Sequence, residues 1–153
     1  MTKEQIVDLL AENELAIKQL YEFYAKTFPE EASFWLSIAS QEKEHAEALL
    51  SLKEKLDDIN VYFDEKRFTP EAIQSTKDYI DERIKYVIDN KIDILTALSI
   101  ARDLENSLIE RNYFKVFESD TPEIKNVLKK LETETLKHRK MVEDKYEEIE
   151  NQQ

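Results

Sequence analysis

No glycine occurs anywhere in the 153 residues, and that absence constrains the fold more than any motif the chain contains. Glycine supplies backbone conformations that other residues reach only with strain. Phosphate-binding loops, dinucleotide fingerprints, nucleophile elbows and most tight β-hairpins are therefore excluded together. What remains is a helical vocabulary, and the expected class is all-α. A chain of this length buries about two-thirds of its unfolded surface, so one domain over 1–153 is expected, with no metal or disulfide needed to hold it closed.

Cysteine is also absent. Thiolate catalysis, zinc fingers, Cys-ligated iron–sulfur centres and a rubredoxin-like electron-transfer module are thereby removed from this chain. A metal would have to rely on Glu, Asp and His. The opening MTKEQIVDLL has no apolar signal core, and no later run approaches the roughly 18 apolar residues of a membrane span, so a cytoplasmic, membrane-free protein is expected. The net charge of −12 repels nucleic-acid phosphates and anionic lipid. Nucleic acid is not an expected partner, and a solvated surface accounts for most of the acidic excess.

Hydrophobic periodicity divides the chain into helices. Thr2 and Gln5 form a capping-box pattern, and Leu10, Glu14, Ile17, Tyr21 and Phe28 recur at three- and four-residue steps, which predicts a helix over 3–27 ended by Pro29. A second helix follows with Trp35, Ile38, Glu42, His45, Ala46 and Leu49 on its inner face, antiparallel to the first. Periodicity lapses between Asp57 and Phe68. Thr69-Pro70-Glu71 then opens a helix over 70–89 whose narrow stripe of Ile73, Ile80, Ile84 and Val87 suits a bundle surface or a partner subunit. Asn90 is expected as a left-handed stop. A third core helix carries Ile94, Ala97, Leu98, Ala101, Glu105, Leu108, Asn112 and Val116. After Ser119-Asp120, Thr121 and Pro122 open a last helix lined by Ile124, Leu128, Leu131, Thr135, His138, Val142, Tyr146 and Ile149.

The two histidines of the chain share one helical frame. Ile38, Glu42 and His45 repeat as Leu131, Thr135 and His138. An i, i+3 spacing puts Glu42 and His45 on one helix face, where both can meet a single ion. The core helices thus form two hairpins, each with a carboxylate on its first helix and a histidine on its second: Glu14 with His45, and Glu105 with His138. A di-metal carboxylate bundle takes a Glu from each of two helices and Glu-x-x-His from each of the other two, and five of those six positions are filled here.

The plainer readings differ by residue. Glu14 alone reads as a solvent-facing acid. Glu105 lies mid-stripe, where an unpaired ionised carboxylate is costly, so a cation or an Arg or Lys partner is expected beside it. Each histidine reads either as a ligand or as a satisfied core residue. Tyr21 reads as core packing or as a hydrogen-bond donor to a ligand carboxylate. A Ser-His-Asp arrangement is disfavoured, because both histidines sit mid-helix with no strained loop to present a nucleophile.

Four segments carry a family resemblance over most of the chain: Glu14 with Ile17 and Tyr21; Phe34-Trp35, Ile38-Ala39 and Glu42-Lys43-Glu44-His45-Ala46; Ala97-Leu98-Ser99-Ile100-Ala101 with Leu104-Glu105-Asn106-Ser107-Leu108; and Leu131 with Glu134-Thr135-Leu136-Lys137-His138. Together they resemble the rubrerythrin-like proteins of the ferritin-like superfamily. The resemblance implies a four-helix bundle running up, down, down, up, with the extra helix in a crossover over 58–92. It implies metal ligation by Glu14, Glu42, His45, Glu105 and His138. The cofactor it implies is two iron ions, with manganese or zinc as substitutes and neither haem nor flavin. The implied chemistry is oxidation of ferrous iron by peroxide or dioxygen, the electrons coming from a separate donor protein, in a homodimer.

Thr135 departs from that pattern. It brings no charge and only a weakly coordinating hydroxyl where the family places a carboxylate. Glu134 lies i, i+4 from His138 and is a candidate replacement, although nearer the edge of the apolar face. A second expectation therefore stands beside the enzyme: a non-enzymatic ferritin-like module, with a degenerate site, used for metal binding or assembly.

Overall fold

The structure, a computed structural model, describes residues 2–55, 61–63, 69–110, 117–119 and 122–153. Five α-helices carry it: α1 (Lys3–Thr27), α2 (Ala32–Lys53), α3 (Pro70–Asp89), α4 (Ile94–Glu110) and α5 (Pro122–Gln152). Local chemistry sets their ends. The Thr2 hydroxyl accepts from Gln5 N–H at 3.2 Å while the Gln5 side chain accepts from Thr2 N–H at 2.8 Å, so two otherwise orphaned donors at the start of α1 are satisfied together. Pro29 interrupts the chain, and one turn of 3₁₀ helix over Pro29–Glu31 reverses it into α2. Thr69 caps α3 with Pro70 at its first position, and Asp93 accepts from Thr96 N–H at 2.8 Å at the start of α4.

Side-chain contacts fix the helix directions. Along α1 and α2, Asp8 meets Lys53 and Tyr24 meets Trp35, so the pair is antiparallel. Along α4 and α5, Arg102 lies over Tyr146 and Asn106 meets Arg139, which is antiparallel again. Between α2 and α5, Glu31 pairs with Lys145 and His45 with Glu134. Helix α3 lies across this core, burying Ile73, Ile80 and Val87 and packing on α1 and α4. It uses its stripe within the chain.

Two findings depart from the sequence expectation. Asn90 is extended, at φ −128° and ψ 143°, rather than left-handed. Its side-chain amide instead donates to the Tyr86 carbonyl at 2.8 Å, so a polar side chain rather than a backbone reversal closes the last turn of α3. In addition, β1 (Val61–Phe63) and β2 (Phe117–Ser119) pair antiparallel, with Tyr62 opposite Glu118. This ladder joins two segments distant in sequence and needs no tight hairpin, so the lack of glycine does not forbid it. Asn112, Val116 and Thr121 lie outside the described residues.

The aromatic end of the core is filled by Tyr21, Tyr24 and Trp35, all fully buried, with Trp35 4.7 Å from Tyr24 and 5.4 Å from Tyr21 between ring centroids. Among the described residues eight polar side chains are also buried: Asn13, Glu14, Glu42, His45, Thr76, Glu105, Thr135 and His138. Such groups persist inside a protein only when something compensates them.

Candidate metal centre

The fold brings Glu14 from α1, Glu42 and His45 from α2, Glu105 from α4 and His138 from α5 into one buried group. His138 Nδ1 lies 2.9 Å from Glu42 Oε1 and 3.9 Å from Glu105 Oε1. His45 Nδ1 lies 3.4 Å from Glu42 Oε2 and 3.7 Å from Glu14 Oε2. Both rings therefore turn Nδ1 toward the carboxylates, and they stack on one another with centroids 5.2 Å apart and planes 20° from parallel.

The opposite nitrogens face outward. His45 Nε2 meets the Glu134 carboxylate and His138 Nε2 meets the Gln41 side-chain oxygen. These contacts are symmetric in sequence, since Gln41 stands four before His45 as Glu134 stands four before His138. Glu134 is thus held against the far side of His45 from Glu42, with its side chain a quarter exposed. Thr135 is buried, and its hydroxyl donates to the Leu131 carbonyl at 2.8 Å, an i−4 bond within α5. Tyr21 both packs and donates: its hydroxyl reaches Glu105 Oε1 at 2.8 Å. Glu105 takes that tyrosine and neighbours His138 in place of the Arg or Lys partner its position could have used.

Burial and mutual contact shift the protonation of this group. Burial pushes the Glu14 carboxyl well above its ordinary range, and the charge of Glu42 adds to it. Glu105 is raised in the same way, by burial first and then by the charges of Glu42 and Glu14. Burial would raise Glu42 too, but its contacts with Glu14, with the His138 ring that it hydrogen-bonds and with the nearby His45 ring outweigh it and hold this carboxylate ionised, well below the usual range. Burial opposes charge on His45, yet the Glu14 and Glu42 carboxylates beside it prevail and raise its pKa to about 11. The Tyr21 hydroxyl is pushed well above its ordinary range by burial and by Glu105 and Glu42, which keeps its proton available as a donor.

Three polar atoms at the centre have no hydrogen-bond partner: Glu14 Oε2, Glu105 Oε2 and His45 Nδ1. Each such atom costs about 1–3 kcal/mol when desolvated. Glu42, His45 and His138 each offer a ligand atom within 4.8 Å of the others. Donors about 2.1 Å from one ion lie roughly 3–4 Å apart, a range that the 2.9 and 3.4 Å separations of Glu42 from His138 and His45 match. Carboxylate oxygens and imidazole nitrogens suit iron, manganese and zinc. The residues fit a divalent cation by chemistry, spacing and unsatisfied valence.

The sequence reading did not single out Gln41 or Asn13. Gln41 was signalled by extending the histidine mirror one residue, and buried Asn13 by its place between Leu10 and Ile17 on the apolar stripe of α1. No protein-family model, curated protein or solved structure matches the chain significantly. No described helix is long and apolar enough to cross a membrane.

Proposed function

We propose that this protein is a non-haem di-metal carboxylate protein of the ferritin-like, rubrerythrin type, an oxidoreductase that oxidises ferrous iron with peroxide or dioxygen. The observation that carries the reading is the convergence of three buried carboxylates and two imidazole Nδ1 atoms, three of those groups having a buried atom without a hydrogen-bond partner. The contact-derived helix directions, with α1 and α5 opposed to α2 and α4, support the up, down, down, up order of that superfamily.

Two ferrous ions held by Glu14, Glu42, His45, Glu105 and His138 would supply the electrons for reducing a small oxidant. The chain's own groups have definable parts in this. Glu42 lies between the two histidines, with one oxygen near each ring, and would help to hold the ions. Glu134 and Gln41 fix the ring orientations of His45 and His138 from behind. Tyr21 steadies Glu105 through its hydroxyl. Leucine and aromatic side chains around the group exclude bulk water, which strengthens each electrostatic contact inside. Electrons for repeated turnover would come from a separate donor protein, and a homodimer is the assembly we expect.

One observation favours a second reading, a metal-binding or assembly module without turnover. The Thr135 hydroxyl is spent on its own helix, leaving the sixth ligand position without a carboxylate. Metal analysis after reconstitution with ferrous iron under anaerobic conditions, followed by peroxide, separates the two. Near two irons per chain with oxidation on peroxide supports the enzyme. One iron or none, without turnover, overturns it in favour of the module.

A further inference from the structure

Beside the metal centre, Asn13 is 1% exposed and neither its amide nitrogen nor its amide oxygen has a partner. It lines a cavity of about 10 Å³ walled by leucines from all four core helices, among them Leu10, Leu49, Leu108 and Leu131. Glu14 lines the same cavity, and its Oε2 is likewise unpartnered. An apolar cavity of this kind would ordinarily stay dry. This one has two polar residues, Asn13 and Glu14, among those that line it. It has room for a water-sized sphere, and a buried water needs two to four polar partners, which the Asn13 amide and Glu14 Oε2 can supply.

We propose that this cavity is a binding site for a single water molecule bridging the Asn13 amide to Glu14 Oε2, and that Asn13 is thereby a positioning residue for Glu14. Fixing Glu14 Oε2 from the Asn13 side limits the rotation of the carboxylate about its last bond and so sets which oxygen faces His45. Only the consequence for coordination rests on the ligand role proposed above for Glu14; the water site itself does not.

A high-resolution crystal structure of the metal-free wild-type protein should show one spherical density peak within hydrogen-bond reach of both Asn13 and Glu14. An empty cavity, or an Asn13 amide turned onto another protein group, overturns the site. Cobalt(II) then reports on coordination through its visible absorption. Asn13→Leu, which fills the cavity with an apolar side chain, should lose the water, shift that spectrum and weaken cobalt binding about tenfold. Asn13→Ser, which keeps a hydroxyl and leaves room, should retain the wild-type spectrum. Circular dichroism shows that each variant is folded, and if Asn13→Leu is not, Asn13→Ala against Asn13→Ser makes the same comparison. An unchanged spectrum in the folded apolar variant overturns the positioning role. Failure of the wild-type protein to bind cobalt at all overturns the ligand role of Glu14, and with it the positioning role, while leaving the crystallographic result to decide the water site.

Discussion

The Glu134 carboxylate meets Nε2 of His45, on the side of the ring away from Glu42. A carboxylate behind a metal-binding imidazole fixes its tautomer and its plane. Glu134→Gln should therefore leave the fold intact and weaken divalent-metal binding about 10–100-fold. Isothermal titration with cobalt(II) or zinc measures this. Unaltered affinity would show that the contact does not orient the ring.

In the proposed ligand frame Thr135 stands where a sixth ligand would complete the set, and its hydroxyl is committed to Leu131. Thr135→Glu should raise the metal content toward two ions per chain, read by elemental analysis after reconstitution. The added buried carboxylate should also lower the thermal stability of the metal-free protein, since a fourth acid joins Glu14, Glu42 and Glu105. A variant with wild-type stoichiometry would place residue 135 outside the ligand frame.

Stability of the metal-free protein should fall as pH rises above about 4.5. Glu14 and Glu105 have folded-state pKa values raised above the ordinary 4.5, so their contribution is complete below that value and is lost as pH rises through the folded values. Glu42 is lowered, so its contribution is present above 4.5 and is lost only toward acid. His45, raised to about 11, contributes in full below its ordinary 6.5 and loses that contribution progressively between 6.5 and about 11, so it adds to the decline above pH 6.5. Thermal melts across pH should show the decline, bound metal should suppress it, and Glu105→Gln should reduce its slope. A slope in Glu105→Gln equal to wild type would remove Glu105 as its source.

Trp35 is fully buried and touches Tyr21, Tyr24 and Phe34. Trp35→Ala should cost about 3–5 kcal/mol of unfolding free energy. Because Tyr21 is held against Glu105, the loss should also loosen the metal group, seen as weaker cobalt binding than in wild type under native conditions. Urea denaturation with and without metal separates the two effects.

The bounds of α1 and α3 were legible in the sequence because capping side chains and prolines act over a few residues and leave local signatures: Thr2 with Gln5, then Pro29; Thr69 with Pro70. Glu42, His45, Glu105 and His138 were legible because helical spacing puts them on inward faces, whereas Glu14, which alone reads as solvent-facing, joined them only through the paired-hairpin pattern and the family resemblance. Asn90 was misjudged because its left-handed preference is only a tendency, and a side-chain bond to Tyr86 closes the helix without it. Pairing of Val61–Phe63 with Phe117–Ser119 is set by how the helices bring two distant connections together, which no local pattern records. The outward contacts of Gln41 and Glu134 depend on ring orientation across helices, which periodicity can allow but cannot specify.

The wiring of the histidines is crossed. His45 from the first hairpin takes Glu134 from the second, and His138 from the second takes Gln41 and Glu42 from the first. Neither half of the molecule satisfies its own imidazole. An isolated hairpin is therefore an incomplete cage rather than a weaker one, and the ability to retain an ion reports that the two halves have found each other.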